Sequence, residues 1–326
     1  METVDRLGLA LLPAAVSPLV AADLSGAARR RRVLAAFPTC LYVELGAHER
    51  VLAVLAADAV ALPIGVRLAL PSAQVHWALQ PGDHVVVGEG RVRLPRADVV
   101  AARPLRPGRV QPTPRGGDPG GGPGVALPEP GALGDLAYAL TASALAGGSA
   151  DSGVRGLVGA GRGLTPSGDD ALCGVLLTLS AVDAPAARRA LVAVRAAVRS
   201  VLPWTTSLSA ALLVAAGDGY AVPDVARLVT LVVAAGSNGR IEGPEPGPEP
   251  GSAVSVRPIR PSGELTVPTE RAVPTELTVP TEINGLVDRV LAIGHTSGRD
   301  LLAGVFGALR AVDAHASTTQ EGARCG

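Results

Sequence analysis

The sequence predicts an α+β chain: a small β-rich N-terminal domain, barrel or sandwich, followed by a mostly α-helical domain with two similar loop–helix motifs. Three observations carry this. Up to residue 105, short apolar segments alternate with glycine turns. After residue 131, apolar residues recur in longer runs with short breaks. The pattern S-G-x-D-x-L-x-G then occurs twice, at 167–174 and 297–304, and opens an apolar run each time.

In the first part, 39–45 and 50–55 are strand candidates, separated by Gly46, Ala47 and His48. Candidates at 75–79, 84–87 and 91–94 follow, divided by Pro81-Gly82-Asp83 and Gly88-Glu89-Gly90. Their spacing suits a small barrel or sandwich. Arg29 to Arg32 form a basic run that reads as a solvated face. Residues 106–130 are rich in proline and glycine and read as a disordered linker. Helices are expected at 132–146, 170–181, 184–202, 205–216, 223–235, 285–293 and 299–314. The stretch 207–216 is hydrophobic on most sides and belongs at the centre. Residues 241–283 form a low-complexity insertion in which Val-Pro-Thr-Glu starts at Val267, Val273 and Val279. It has no apolar face to bury. The expected organisation is a β-rich domain at 1–105, the linker, a helical domain split between 131–240 and 284–315, and a disordered tail at 316–326.

Composition sets limits. Of 326 residues, 48% are hydrophobic but 2% aromatic, so alanine, valine, leucine and glycine must fill the core and helices can pack closely. Net charge is zero, which supports no nucleic-acid or acidic-membrane partner. The chain has no lysine, which excludes a lysine Schiff base and a Walker lysine. Cys40, Cys173 and Cys325 are too widely spaced for a disulfide framework or a zinc pattern. The apolar run 7–22 is interrupted by Pro13 and Pro18 and preceded by acidic residues, unlike a signal peptide. No stretch reads as a membrane span, so a cytoplasmic protein is expected.

The paired motifs carry the candidate chemistry. Gly159, Gly161 and Gly163 precede the first, and Gly294-His295-Thr296 precedes the second. One reading is structural: Ser167 with Asp170, and Ser297 with Asp300, each fit a capping box, and Asp169 suits the positive end of a helix dipole. Capping does not explain the glycines. Gly174 and Gly304 lie four residues after Asp170 and Asp300, on the same helical face. The second reading is that the two helices cross near these glycines and their N-termini share one pocket with pseudo-twofold symmetry.

That pocket would suit a small anion, bound by Gly161, Arg162, Gly163, Thr165, Ser167, Gly168, Thr296, Ser297 and Gly298. Arg162 reads equally as a surface arginine. Thr206 and Ser209 add hydroxyls, or Thr205 or Thr206 simply caps the helix. His295, Asp170 and Asp300 are the catalytic candidates, although His295 reads equally as packing beneath the turn. No cofactor is assigned; Mg²⁺ is the one candidate, on Asp169, Asp170 and Asp300, with no separate ligand motif behind it.

The segment 161–174, G-x-G-L-T-P-S-G-D-D-x-L-x-G, resembles the signature of the bacterial family that includes AllH. Thr206 and Ser209 followed by Gly217 match its middle motif, and 294–300 with Gly304 matches its C-terminal motif. The resemblance covers the helical domain well and the β-rich part loosely. It implies a subunit of oxamate carbamoyltransferase, acting with AllF- and AllG-like subunits in anaerobic allantoin breakdown. The implied reaction exchanges a carbamoyl group between oxamate and phosphate, through oxalurate and carbamoyl phosphate. A Mg²⁺-dependent helical hydrolase and a non-catalytic subunit of a metabolic complex remain as alternatives.

Overall fold

The computed structural model describes residues 10–114, 131–235 and 279–324. The Val-Pro-Thr-Glu segment up to residue 278, and most of the Pro/Gly stretch, lie outside the described residues.

Short alternating segments close the N-terminal part into a barrel rather than a sandwich. Its strands are β1 (Ala10–Val16), β2 (Arg29–Phe37), β3 (Cys40–Glu44), β4 (Val51–Leu55), β5 (Gly65–Leu68), β6 (His84–Gly88), β7 (Arg91–Arg93) and β8 (Ala97–Pro104), with helix α1 (Ala21–Ser25) after β1. The order around the barrel is β1-β5-β4-β3-β2-β6-β7-β8. A parallel β1–β8 pairing, with Leu12 opposite Val99, closes it and removes the open edges. The Arg29–Arg32 run pairs with β6 and is mostly exposed, a solvated strand face. Residues 75–79 are not a strand. Trp77 is buried and its Nε1 donates to the Pro38 carbonyl at 3.1 Å. Ala78 next to it takes φ 51°, which breaks an extended run.

Residues 105–113, read above largely as linker, are tied down. β9 (Gly108–Arg109) pairs with β10 (Tyr220–Ala221). Val110 is buried in the helical core, and the Thr113 N–H donates to the Ala181 carbonyl at 2.8 Å.

The helical part comprises α2 (Gly131–Leu145), α3 (Asp151–Leu157), α4 (Ser167–Ala181), α5 (Pro185–Val201), α6 (Ser207–Gly217), α7 (Pro223–Ala235), α8 (Val279–Leu291) and α9 (Ser297–Arg324). The helix α9 runs through most of the expected disordered tail. In α5, Ala187, Ala190, Val194, Ala197, Val198 and Val201 face inward, the spacing of a one-sided helix. Buried along nearly its whole length, α4 is the central helix, with α9 and α6 packed against it. The helix α6 joins the two cores: Leu208, Ala211 and Ala215 enter the barrel core, Ala210, Leu213 and Ala216 the helical core. None of the described helices is long and apolar enough to cross a membrane.

Candidate functional site

Two helix–turn–helix units, α3–α4 and α8–α9, meet where α4 crosses α9. The crossing is backbone against backbone. A Cβ on Gly174 would lie 2.3 Å from the Leu301 carbonyl oxygen, and one on Gly304 would lie 2.0 Å from that of Ala171. Within each unit a second glycine closes the turn. A Cβ on Gly168 would fall 1.9 Å from the Leu157 oxygen at the end of α3, and one on Gly298 would fall 1.8 Å from the Val290 oxygen near the end of α8. The repeated sequence therefore builds the same contact twice.

The capping-box expectation does not hold at α4. Ser167 is its first helical residue rather than its cap; Pro166 occupies the cap and offers no side-chain hydrogen bond. The first-turn N–H groups are mostly committed to the chain. Gly168 donates to Ala160, Asp169 and Asp170 to Pro166, Gly298 to Ile293 and Asp300 to Thr296. These N–H groups are not free to cradle an anion.

The glycine loop before α4 takes positive φ at Gly159 (67°), Gly161 (123°) and Gly163 (95°). Asp169 anchors it, accepting from the Gly159 N–H at 2.9 Å and from the Thr205 hydroxyl. Thr206 caps α6 by accepting from the Ser209 N–H at 3.1 Å, and its hydroxyl donates to the Leu164 carbonyl. Ser209 donates to the same carbonyl at 3.4 Å. Thr206 and Ser209 thus hold the loop onto α6 and do not line the cavity beside it. Arg162, His295 and Thr296 are exposed and also lie outside that cavity's lining.

The turns do bring Thr165, Asp170, Ser297 and Gly298 together on the wall of one chamber of about 240 Å³ between barrel and helices. The Thr165 and Ser297 hydroxyls join the two units across a 3.0 Å hydrogen bond. Asp170 is only 7% exposed, and its Oδ2 has no hydrogen-bond partner. Burial pushes its carboxyl up to about 7. The Ser297 hydroxyl opposes this rise, nearby Asp300 and Asp169 add to it, and the Thr165 hydroxyl opposes it again. Asp300 is also buried with an unpartnered Oδ2, but does not line the chamber. Cys173 does line it, and its buried thiol is pushed well up, which makes it an inert apolar contact.

The expected Mg²⁺ triad is not assembled. Both oxygens of Asp169 are engaged in tethering the loop. Among the described residues, no group of three or more His, Cys, Asp or Glu is placed to hold a metal ion.

The sequence missed the contributions of the barrel. His48 accompanies the α6 terminus, with Nε2 3.0 Å from the Thr205 carbonyl oxygen and Nδ1 3.2 Å from the Ser207 hydroxyl. Phe37 and Tyr42 meet edge-on at 6.0 Å and line the chamber. The His48 contacts reach 157 and 159 residues along the chain, so no local pattern announces them.

A search of curated proteins returns no match, nor does a search of solved structures. Residues 157–242, which run from the end of α3 past α7, match the family model described as oxamate carbamoyltransferase subunit AllH.

Proposed function

We propose that this chain is a subunit of an oxamate carbamoyltransferase-like enzyme, cytoplasmic and partnered by AllF- and AllG-like subunits in allantoin catabolism. The α4–α9 junction receives the small anion of that reaction: oxamate, oxalurate, carbamoyl phosphate or phosphate. The family match over 157–242 supports the reaction class. The observation that supports the site is the unpartnered oxygen of buried Asp170 beside the Thr165–Ser297 hydroxyl pair.

A bare carboxylate at this place would repel an anion. With its carboxyl raised to about 7, Asp170 holds a proton below neutral pH and donates to the ligand's carboxylate. The hydroxyls of Thr165 and Ser297 each donate or accept, and so suit the adjoining carbamoyl group. The positive ends of α4 and α9 favour negative charge there even with their N–H groups committed.

Calorimetric titration of the purified chain with oxamate, carbamoyl phosphate and phosphate tests this, alone and mixed with purified AllF- and AllG-like subunits. Binding of oxamate or carbamoyl phosphate is expected, weakened tenfold or more in Asp170→Ala and unchanged by EDTA. Absence of binding with and without the partners would remove the anion site. Binding abolished by EDTA would put the Mg²⁺ reading in its place.

A further inference from the structure

The chamber is larger and more apolar than a molecule as small as oxamate requires. One ordered water takes roughly 10–15 Å³ of such volume, against about 240 Å³ here. Its polar side chains are Thr165, Asp170 and Ser297 at one corner and the phenols of Tyr42 and Tyr220. The remainder is hydrocarbon and aromatic surface: Tyr42 and Leu62 from the barrel part, Leu208 and Leu212 from α6, Val225 from α7 and Leu301 from α9. No basic side chain is among the described lining residues. Phe37 and Val60 line the chamber while staying 44% and 40% exposed, so it reaches solvent on the barrel side.

Such a space is built for a ligand with one polar end. A neutral primary amide suits the Asp170 corner: its carbonyl accepts from the protonated Asp170 carboxyl, and its NH₂ donates to the Thr165 or Ser297 hydroxyl oxygen. Apolar walls around a few convergent polar groups are the usual form of a small-molecule site.

We propose that this chamber binds a small organic molecule with a carbamoyl head and a branched-alkyl or aromatic body, the head on Asp170, Thr165 and Ser297 and the body against Leu62, Leu212 and Val225. The inference rests on the preceding reading in placing the head at the Asp170 corner, and extends it by giving the rest of the chamber an occupant.

The test is calorimetric titration of the intact chain with acetamide, isovaleramide, benzamide and oxamate. Each buried methylene tightens binding about fourfold. Isovaleramide and benzamide are therefore expected to bind at least tenfold more tightly than acetamide. Leu212→Phe and Leu62→Phe, each checked for a cooperative melt, fill the chamber and are expected to erase that advantage. Should either variant fail to fold, the wild-type series alone decides. Equal affinity across the amides, or no amide binding, overturns the proposal. Oxamate binding without an amide gain overturns this inference and leaves the carbamoyltransferase reading standing. An amide gain without oxamate binding does the reverse.

Discussion

Gly304→Ala is expected to destabilise the protein by about 3 kcal/mol or more, seen as a lower urea midpoint. The added Cβ would sit 2.0 Å from the Ala171 oxygen and 2.7 Å from its carbonyl carbon. Those are backbone atoms of α4, the most buried helix, so no side chain can swing aside. Relief requires moving α9 away from α4 along the crossing. Gly174→Ala presses from the other side, against the Leu301 oxygen and the Val305 nitrogen, and is expected to cost a similar amount. Gly156→Ala is the control. It lies in α3 with nothing within 4 Å of the added methyl, and is expected to be neutral or to gain roughly 0.5–1 kcal/mol, the ordinary helix preference for alanine. If Gly304→Ala behaves like Gly156→Ala, the helices do not cross as described. Any Gly304→Ala protein that folds should also lose ligand binding, because the same crossing brings Thr165 to Ser297.

That crossing was legible in the sequence because glycine four residues after an aspartate, in a run otherwise apolar, has no intrahelical use. The helix α7 was legible to the residue, since Pro223 opens an apolar periodic run. Elements whose local sequence argues against them were not. β1 contains Pro13, a poor strand residue, yet Pro13 pairs only toward β8, because β5 joins β1 from Ala14 onward. The short helix α3 carries Gly153 and Gly156; the first is there because a Cβ would strike Leu140. The site divides in the same way. Thr165, Asp170, Ser297 and Gly298 converge as their repeated context implied. Arg162 and His295 drew attention as polar side chains within the two turns, and both are exposed. Asp169 and Asp170 are neighbours in sequence with opposite fates: one is saturated by the Gly159 N–H and the Thr205 hydroxyl, the other keeps an unpartnered oxygen. Only tertiary contacts separate them, through the loop and α6.

That unpartnered oxygen makes Asp170 costly when ionised, and the pH dependence of stability should show it. Its folded value of about 7 lies above the ordinary 3.8, so the native state holds this proton more tightly than the unfolded chain. The associated stability is fully present below pH 4 and is lost as pH rises through 7. At about 1.4 kcal/mol per pH unit, the loss has a ceiling on the order of 4 kcal/mol. Asp170→Asn removes the titration and keeps the shape. The two proteins are expected to melt at similar temperatures at pH 5. At pH 8 the asparagine variant should melt several degrees higher, since 1 kcal/mol shifts the melting temperature by roughly 2–4 °C in chains of this size. Binding should separate them in the opposite sense. In the proposed binding mode oxamate accepts from this corner, so wild-type affinity is expected to fall up to tenfold per pH unit above 7. The variant, whose amide donates at every pH, should stay level. Identical melting profiles from pH 5 to 8 would mean that Asp170 is not buried uncompensated, and wild-type affinity rising with pH would mean that its ionised form contacts the ligand.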